Sequence, residues 1–420
     1  MARKMKDSGI EWIGEIPEGW EVSQLKYATR WKSEKGCPDA PVLSLYRDFG
    51  VVPKDSRDDN HNVTSLDTSN YKVVDVGDLV INKMKAWQGS MAVSDYRGIV
   101  SPAYHVCSIT SNKVNKRYLH HLLRNPAYLP EYARLSTGMR IGQWDLGFDD
   151  FKNIPFLIPP LDEQAKIADY LDNGCASLDA TLSKTRSSIE EYKKLKQAVI
   201  TQAVTKGVRG ERVMKDSGVE WIGKVPSKWN CIKIKYLFEI RKRIAGKEGY
   251  TVLSITQTGI KPKNISSNEG QLADSYSNYQ LLHFGEFAMN HMDLLTGWVD
   301  ISNYNGVTSP DYRVFSLKDT ITNHPRYFLY LMQMCYFNRI FYSMAQGVSS
   351  LGRWRLQSDK FLNCIFPVPS IEEQKEISAY LDTTCSEIDK LIAKKEQLVK
   401  ELESYKKSLI YEVVTGKREV

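Results

Sequence analysis

The chain repeats itself at an offset of 209 residues. The segment MKDSGIEWIGEIPEGWEVSQLKY (residues 5–27) recurs as MKDSGVEWIGKVPSKWNCIKIKY (214–236). The frame continues, because SNYKVVDVGDLVINKM (69–84) matches SNYQLLHFGEFAMNHM (277–292) and RGIVSPAY (97–104) matches NGVTSPDY (305–312). An internal repeat of this kind constrains the overall architecture more strongly than the secondary-structure pattern of any single segment. It predicts two similar structural units in one chain.

Within each copy, β-branched and aromatic runs are separated by Gly, Pro and Asn, which is typical of short strands joined by turns. Helical patterns begin at Lys116 and at Pro325. Each copy then carries a Gly-containing loop with a basic residue and a Trp (136–146 and 345–356). A proline-containing segment follows, and its prolines prevent the preceding secondary structure from continuing into the long helix. These features predict an α/β (α+β) globule in each copy.

A long helix is predicted after each globule. An apolar a/d seam runs along both helices, with lysines at the equivalent positions Lys196 and Lys406. The seam residues are Leu171, Leu178, Leu182 and Ile189 in the first helix and Leu381, Ile388, Ile392, Val399 and Leu402 in the second. The alternative interpretation is two ordinary amphipathic surface helices.

The connector from Gly207 to Val213 is too short to return the chain along the first helix. It therefore favours an antiparallel coiled coil, with the globules at opposite ends and an approximate two-fold symmetry. The predicted boundaries are 1–158 for the first globule, 159–207 for the first helix, 208–367 for the second globule and 368–420 for the second helix.

Composition narrows the class of protein. The formal charge of +7 over 420 residues is compatible with a polyanionic partner but does not require one. The seven cysteines are scattered, without a CxxC or Cys/His cluster, which argues against a disulfide framework or a structural zinc site. The sequence has no apolar leader and no apolar run of about 18 residues. We expect a cytoplasmic protein of a prokaryote that does not span a membrane.

The motifs DSGIEWIGEIPEGWEV at a globule start and PPLDEQAKIADYLD at a helix start, each present twice, resemble those of the specificity subunit of type I restriction-modification systems. The resemblance implies a non-catalytic DNA-recognition subunit. Each globule would be a target recognition domain that reads one half of a bipartite, asymmetric site, and the helices would set the gap.

The same resemblance implies partners for the helices. Two methyltransferase subunits would dock there and bring S-adenosylmethionine, and restriction/translocase subunits would add ATP- and Mg-dependent activity. This chain itself would bind double-stranded DNA, no metal and no cofactor.

The candidate DNA-contacting residues lie between the framing strands, where Arg and Lys can bind guanine or phosphate and Gln can bind adenine. They are Lys83, Lys85, Trp87, Gln88, Arg140 and Gln143 in the first copy, and Asn290, His291, Asp293, Ser349, Arg353 and Arg355 in the second. The alternative is that these are solvated loop residues, with Trp144 and Trp354 packing beneath them.

Two other functions are each compatible with part of the sequence. A coiled-coil scaffold that binds proteins without reading DNA would explain the helices, and it predicts no salt-dependent duplex binding. A stand-alone methyltransferase is suggested only by Asn125-Pro126-Ala127-Tyr128, which the second copy lacks and which we interpret as a helix-ending turn. The chain has no GxxxxGK[ST] nucleotide-binding motif. Glu163 and Glu373 lie in first helical turns, where a carboxylate interacts favourably with the helix dipole.

Overall fold

The computed structural model describes residues 3–47, 49–57, 64–65, 67–138, 144–264, 273–345 and 354–420. The chain divides into two compact units. Unit 1 comprises Met1–Arg186 and Gln397–Val420, and unit 2 comprises Ser187–Glu396. Each unit therefore contains one globule and part of both long helices. The four domain ranges drawn from the sequence stay a prediction.

Unit 1 is built from short strands and three short helices before the first long helix. The described strands are β1 (Met5–Asp7), β2 (Glu15–Pro17), β3 (Glu21–Gln24), β4 (Thr29–Lys32), β5 (Leu43–Tyr46), β6 (Gly50–Pro53), β7 (Lys72–Val74), β8 (Leu79–Asn82), β9 (Met91–Val93), β10 (Gly98–Val100), β11 (Tyr104–Ile109), β12 (Ser136–Thr137), β13 (Asp145–Leu146) and β14 (Pro155–Ile158). The helices are α1 (Lys116–Leu123), α2 (Leu129–Leu135), α3 (Phe148–Phe151) and the long α4 (Leu161–Lys206), which continues into unit 2.

Unit 2 repeats this order of elements with small differences. Its described strands are β15 (Met214–Asp216), β16 (Lys224–Pro226), β17 (Asn230–Lys233), β18 (Phe238–Arg241), β19 (Leu253–Thr256), β20 (Gly259–Pro262), β21 (Gln280–Leu282), β22 (Phe287–Met289), β23 (Val299–Ile301), β24 (Gly306–Thr308), β25 (Arg313–Leu317) and β26 (Ile365–Val368). The helices are α5 (Ile234–Leu237), α6 (Pro325–Phe337), α7 (Ile340–Ser343), α8 (Ser358–Asn363) and the long α9 (Ile371–Val414), whose last part lies in unit 1.

An antiparallel four-stranded sheet lies at the centre of each globule. Its strand order is β4-β11-β8-β9 in unit 1 and β18-β25-β22-β23 in unit 2. The register is also repeated, since His105 of β11 pairs with Ile81 and Arg313 of β25 pairs with Met289. The pairs β3–β14 and β17–β26 join the start of each globule to its end. The predicted repeat of mixed α/β globules is thus confirmed.

Each globule core includes ends of both long helices. In unit 1 the core contains Leu171 near the start of α4 and Val413 at the end of α9. The buried Tyr118 of α1 donates its hydroxyl to the carbonyl of Val414 at 3.3 Å. In unit 2 the equivalent Tyr327 donates to the carbonyl of Val204 at 3.1 Å. A globule tyrosine thereby satisfies a carbonyl in the last turn of a helix, where intrahelical partners run out.

The long helices pair antiparallel within each unit. In unit 1, Lys406 Nζ lies 2.6 Å from Asp179, and Glu403 pairs with Arg186 further along α4. In unit 2, Lys196 Nζ lies 2.7 Å from Asp389, and Lys395 lies over the ring of Tyr192. In both units, later residues of α4 contact earlier residues of α9, so the two helices run antiparallel, as predicted.

The predicted seam is the protected face of both helices. The buried members are Leu171, Leu182, Ile189, Leu381 and Ile388, and the half-buried members are Leu178, Ile392, Val399 and Leu402. The lysines that interrupt it, Lys196 and Lys406, form the ion pairs described above. Among the described residues, no helix carries an apolar stretch long enough to cross a membrane.

The Glu-Gln pair at the start of each long helix attaches it to its globule. Glu163 accepts the indole N–H of the fully buried Trp20 at 3.0 Å and pairs with Arg3. Glu373 accepts the indole N–H of Trp229 at 3.0 Å and pairs with Arg212. The predicted first-turn carboxylates thus have specific partners in addition to the helix dipole.

The neighbouring glutamines, Gln164 and Gln374, are buried and bridge two segments. Gln164 accepts the backbone N–H of Asn115 at 2.7 Å and donates to the carbonyl of Pro159. Gln374 accepts the backbone N–H of His324 and donates to Pro369 in the same way. Since Asn115 and His324 cap α1 and α6, the glutamines tie a globule helix to the long helix that follows it.

Candidate nucleic-acid interface

The first predicted recognition segment is a helix rather than a loop. Asn82, at the end of β8, accepts the backbone N–H of Met84 and starts a 3-10 helix over Lys83–Gln88. Asx capping of this kind explains why the local chain turns at once instead of remaining extended. The segment is therefore fixed in position by its own capping residue.

The candidate residues on this helix have different surroundings. Lys85 is exposed, while Lys83 pairs with Asp145 at 3.2 Å. The Trp87 ring packs on Trp144 with their centroids 5.1 Å apart. Gln88 is half-buried. The structure thus brings Lys83 and Trp87 together with the strand that follows the Gly-containing loop.

In unit 2, Asn290 repeats the role of Asn82 and accepts the backbone N–H of Met292 at 3.2 Å. Asp293 is engaged in a turn, where it accepts the backbone N–H groups of Leu295 and Thr296. His291 is only 7% exposed. A side chain so enclosed presents little edge to a nucleic acid, so its position gives no support to the predicted base contact.

Four of the predicted contacts, Arg140, Gln143, Ser349 and Arg353, lie outside the described residues. Arg355 lies just after residues 346–353, which are also outside the described residues, and is exposed. Its neighbour Trp354 packs on Tyr342 with centroids 4.8 Å apart. The predicted packing role of the two loop tryptophans fits these contacts.

Sequence reasoning missed three residues beside these segments: His105, Asp145 and Arg313. Nε2 of His105 donates to the carbonyl of Leu146 at 3.2 Å. Arg313 Nη2 donates to the carbonyl of Leu356 at 2.9 Å, although Arg313 is only 4% exposed. The sequence held a signal for His105 and Arg313. Each directly follows a repeated segment, SPAY or SPDY, and the residue type at this position differs between the copies.

Burial controls the charge of these groups. Burial lowers the pKa of His105, and the positive charges of Lys72 and Lys83 lower it further. His105 is therefore neutral at pH 7, and Nδ1 is left as an acceptor because Nε2 carries the proton. Burial lowers the pKa of Arg313 to about 10, with a contribution from Arg355. Arg313 remains a cation at pH 7.

Other motifs have structural roles. Asn125 accepts the backbone N–H of Ala127 and starts a short 3-10 turn over Pro126–Tyr128, with both Asn125 and Tyr128 fully buried. The segment is thus the turn that the sequence predicted. Within the described ranges, no three His, Cys, Asp or Glu side chains are grouped as metal ligands would be.

Curated proteins similar to this chain are type I restriction enzyme specificity subunits. The MjaVIII specificity subunit of Methanocaldococcus jannaschii is 25% identical over 429 residues, covering 96% of this chain and 93% of that protein. The putative MjaX specificity subunit of the same organism is 24% identical over 243 residues, and this match spans about half of each chain, 53%. The EcoKI specificity subunit of Escherichia coli is 27% identical over 194 residues, covering 45% of this chain and 38% of that protein.

Two solved structures share the fold. One belongs to a study of complex assembly and conformational transition of the type I restriction-modification system, with a TM-score of 0.70 and 14% identity over 96% of this chain and 99% of that chain. The HsdS subunit from Thermoanaerobacter tengcongensis has a TM-score of 0.53 and 14% identity over 96% and 98%. The family described as Type I restriction modification DNA specificity domain matches residues 17–191 and 226–401, one match for each copy. Since these two matches together cover most of the sequence, the chain belongs to this family.

Proposed function

We propose that the chain is the DNA-recognition subunit of a type I restriction-modification complex, in which each globule reads one half of a bipartite, asymmetric site. The observation that carries this proposal is the pair of family domains whose frames agree and whose surfaces differ. Equivalent positions beside the central sheet hold Lys83 and Asp145 in unit 1 but the enclosed His291 and the exposed Arg355 in unit 2. Two shared frames with different polar groups are what an asymmetric site requires.

The long helices set the gap between the half-sites and dock two methyltransferase subunits. Support comes from apolar side chains that the helices leave exposed, Tyr170 and Leu195 on α4 and Tyr380, Leu391 and Tyr405 on α9. Exposed apolar groups on a helical surface favour a protein partner. The methyltransferase subunits supply S-adenosylmethionine, restriction subunits supply ATP- and Mg-dependent activity, and this chain contributes no catalysis of its own.

The test is methylome sequencing of a methylation-deficient host that expresses this chain with its methyltransferase subunit. We expect a new bipartite motif with modified adenines in both halves. The control is the methyltransferase subunit expressed alone, which should modify no such motif. An assembled complex that produces no new modification would contradict the proposal.

The scaffold alternative is not favoured, because the matching family is described as a DNA specificity domain. It can be separated by binding measurements. A DNA reader loses duplex affinity steeply as salt rises, since phosphate contacts release counterions. A scaffold would show no such slope with the assembled complex.

A further inference from the structure

A returning segment is anchored at the same place in both units. In unit 1 the segment is β13, and the carbonyl of Leu146 accepts a hydrogen bond from His105 at 3.2 Å. In unit 2 the carbonyl of Leu356 accepts one from Arg313 at 2.9 Å. Leu146 and Leu356 are both fully buried, at 0% exposure. The residue immediately before each leucine is therefore held at a fixed place beside the sheet.

This preceding residue has opposite charge in the two units. It is Asp145 in unit 1, whose side chain is 42% exposed, and Arg355 in unit 2, which is exposed. Asp145 shares the site with Lys83, 3.2 Å away. Arg355 follows Trp354 and lies close enough to His291 and Arg313 for its positive charge to lower the pKa of both. The same backbone position thus carries a carboxylate in unit 1 and a guanidinium in unit 2.

Unpaired polar atoms surround this position in both units. Among the described residues, five buried atoms beside this position lack a hydrogen-bond partner: Asp145 Oδ1, His105 Nδ1 and the Trp87 indole N–H in unit 1, and His291 Nδ1 and the Trp354 indole N–H in unit 2. Buried polar groups are ordinarily paired, so each such group calls for an explanation. Both units leave polar atoms unpaired beside this position, as a site completed by a polar ligand would.

The chemistry of that ligand differs between the units. Guanine presents two acceptors, O6 and N7, in the major groove, and arginine donates to both at once. Adenine and cytosine present an exocyclic amino group there, which a carboxylate accepts. A carboxylate would instead repel a phosphate, so Asp145 favours a base edge over the DNA backbone.

Building on the proposed function, we propose that Asp145 and Arg355 are specificity-determining residues at equivalent positions of the two target recognition domains. Arg355 donates to a guanine of the second half-site. Asp145, together with Lys83, takes an amino-bearing base, adenine or cytosine, in the first. The difference in charge at one anchored position thereby contributes to the asymmetry of the site.

The test uses the full chain in complex with its methyltransferase subunit, with methylome sequencing as the readout. Asp145→Ala should weaken discrimination at one base of the first half-site by about 5- to 150-fold, the range for a lost specific base contact, and leave the second half unchanged. Arg355→Gln should relax one guanine of the second half-site and leave the first unchanged. Arg355→Lys keeps the charge but loses the planar fork, so it should relax the same guanine.

A matched control is Lys228→Gln, which removes one positive charge from an exposed turn of the same unit. It should leave the motif unchanged. The proposal is overturned if the Arg355 and Asp145 variants lower methylation evenly with an unchanged motif, as loss of a phosphate contact would. It is also overturned if Arg355→Gln retains full discrimination at every base of the second half-site. A wild-type complex without any bipartite motif would instead contradict the proposed function.

Discussion

At the scale of single residues, the glutamate at the start of each long helix connects that helix to other segments of its unit. Glu373 is buried to 7% side-chain exposure and contacts both the Trp229 indole and the Arg212 guanidinium. The sequence placed Glu373 in a first helical turn, where the helix dipole alone stabilises a carboxylate by less than about 1 kcal/mol. The contacts in the structure indicate a larger contribution, because a buried charge depends on its partner.

We therefore predict that Glu373→Gln destabilises the chain by about 1.5 to 3 kcal/mol, the usual worth of a hydrogen bond to a charged group. The measurement is thermal or denaturant unfolding of the full chain. Glu372→Gln is the control, since Glu372 lies in the same turn but is exposed. Equal effects of the two substitutions would show that only the helix dipole matters.

A second residue, His291, should make stability depend on pH. Burial lowers its pKa from 6.5 to about 3, and the positive charges of Arg313 and Arg355 add to this effect. Below pH 6.5 this histidine is protonated in the unfolded chain but remains neutral in the folded chain. The free energy of unfolding therefore falls as pH drops toward 3. We expect Tm to decrease between pH 7.5 and 5.5, and His291→Gln to reduce that decrease.

The control for this pH effect is His283→Gln, because His283 is exposed in the same unit. That substitution should leave the pH dependence of Tm as it is in the wild type. An unchanged slope in His291→Gln would assign the acid sensitivity to other groups. The comparison uses slopes, since a new side chain in a buried site also shifts Tm at every pH.

Residue-level prediction from the sequence succeeded where the signal was periodic and failed where it was not. The seam leucines, such as Leu171 and Leu381, recur at helical spacing, so their burial could be predicted. The bond from His105 to Leu146 joins residues 41 apart and leaves no local pattern. The helix at Lys83–Gln88 was missed because six residues are too few to establish a period.

At the scale of elements, the presence of two long helices was predictable from the sequence. Proline-containing segments precede Leu161 and Ile371, and Gly207 and Gly416 follow the helical ends with positive φ of 80° and 70°. Glycine adopts this left-handed conformation without strain, which makes it a common helix stop. Inside α4, a Cβ added at Gly174 would lie 3.6 Å from Cδ2 of Leu409 on α9, an ordinary van der Waals distance.

The ion pairs between the helices set register more than stability. Each lysine of Lys406–Asp179 and Lys196–Asp389 is partly exposed, and exposed pairs contribute about 0.2 to 1 kcal/mol. An insertion in α4 alone would displace one of these pairs relative to the other. Equal insertions in both helices, between residues 181 and 188 and between 391 and 398, keep each lysine opposite its aspartate.

We predict that inserting four residues at both places, one helical turn of about 6 Å, lengthens the gap by one or two base pairs. The two half-sites should stay the same. The measurement is the methylated motif of the assembled complex, and the control replaces four residues at the same places without changing length. A longer complex with an unchanged gap would show that the helices do not set the spacing.

At the scale of the whole molecule, the repeat made the architecture predictable because several framing contacts occur in both units. The Glu-Gln attachment, the tyrosine at the helix end and the lysine–aspartate pair all recur at equivalent positions. What the repeat does not predict is the surface that differs between the copies. We attribute those differences, such as Asp145 against Arg355, to the bases that each unit is proposed to read, and one sequence contains no record of those bases.

The frame and the variable surface should therefore be separable. Residues 29–152 run from the first residue of β4 to the residue after α3, and the β3–β14 ladder that joins the globule to α4 lies outside them. Replacing 29–152 with the corresponding segment of another specificity subunit leaves Trp20, Glu163 and the helix pair of the native chain in place. The junctions fall between strands, so the hydrogen-bonded ladders of the frame remain whole.

We predict that this exchange changes the first half-site to that of the donor, while the second half-site and the gap stay native. The reason is that unit 2 keeps its own sheet, its own polar groups and its own contacts with both helices. Methylome sequencing of the assembled chimaeric complex measures all three parts of the motif at once, and an exchange with the chain's own segment re-cloned is the control. If the second half-site changed as well, recognition would depend on both globules jointly, and the two family domains could not be treated as independent readers.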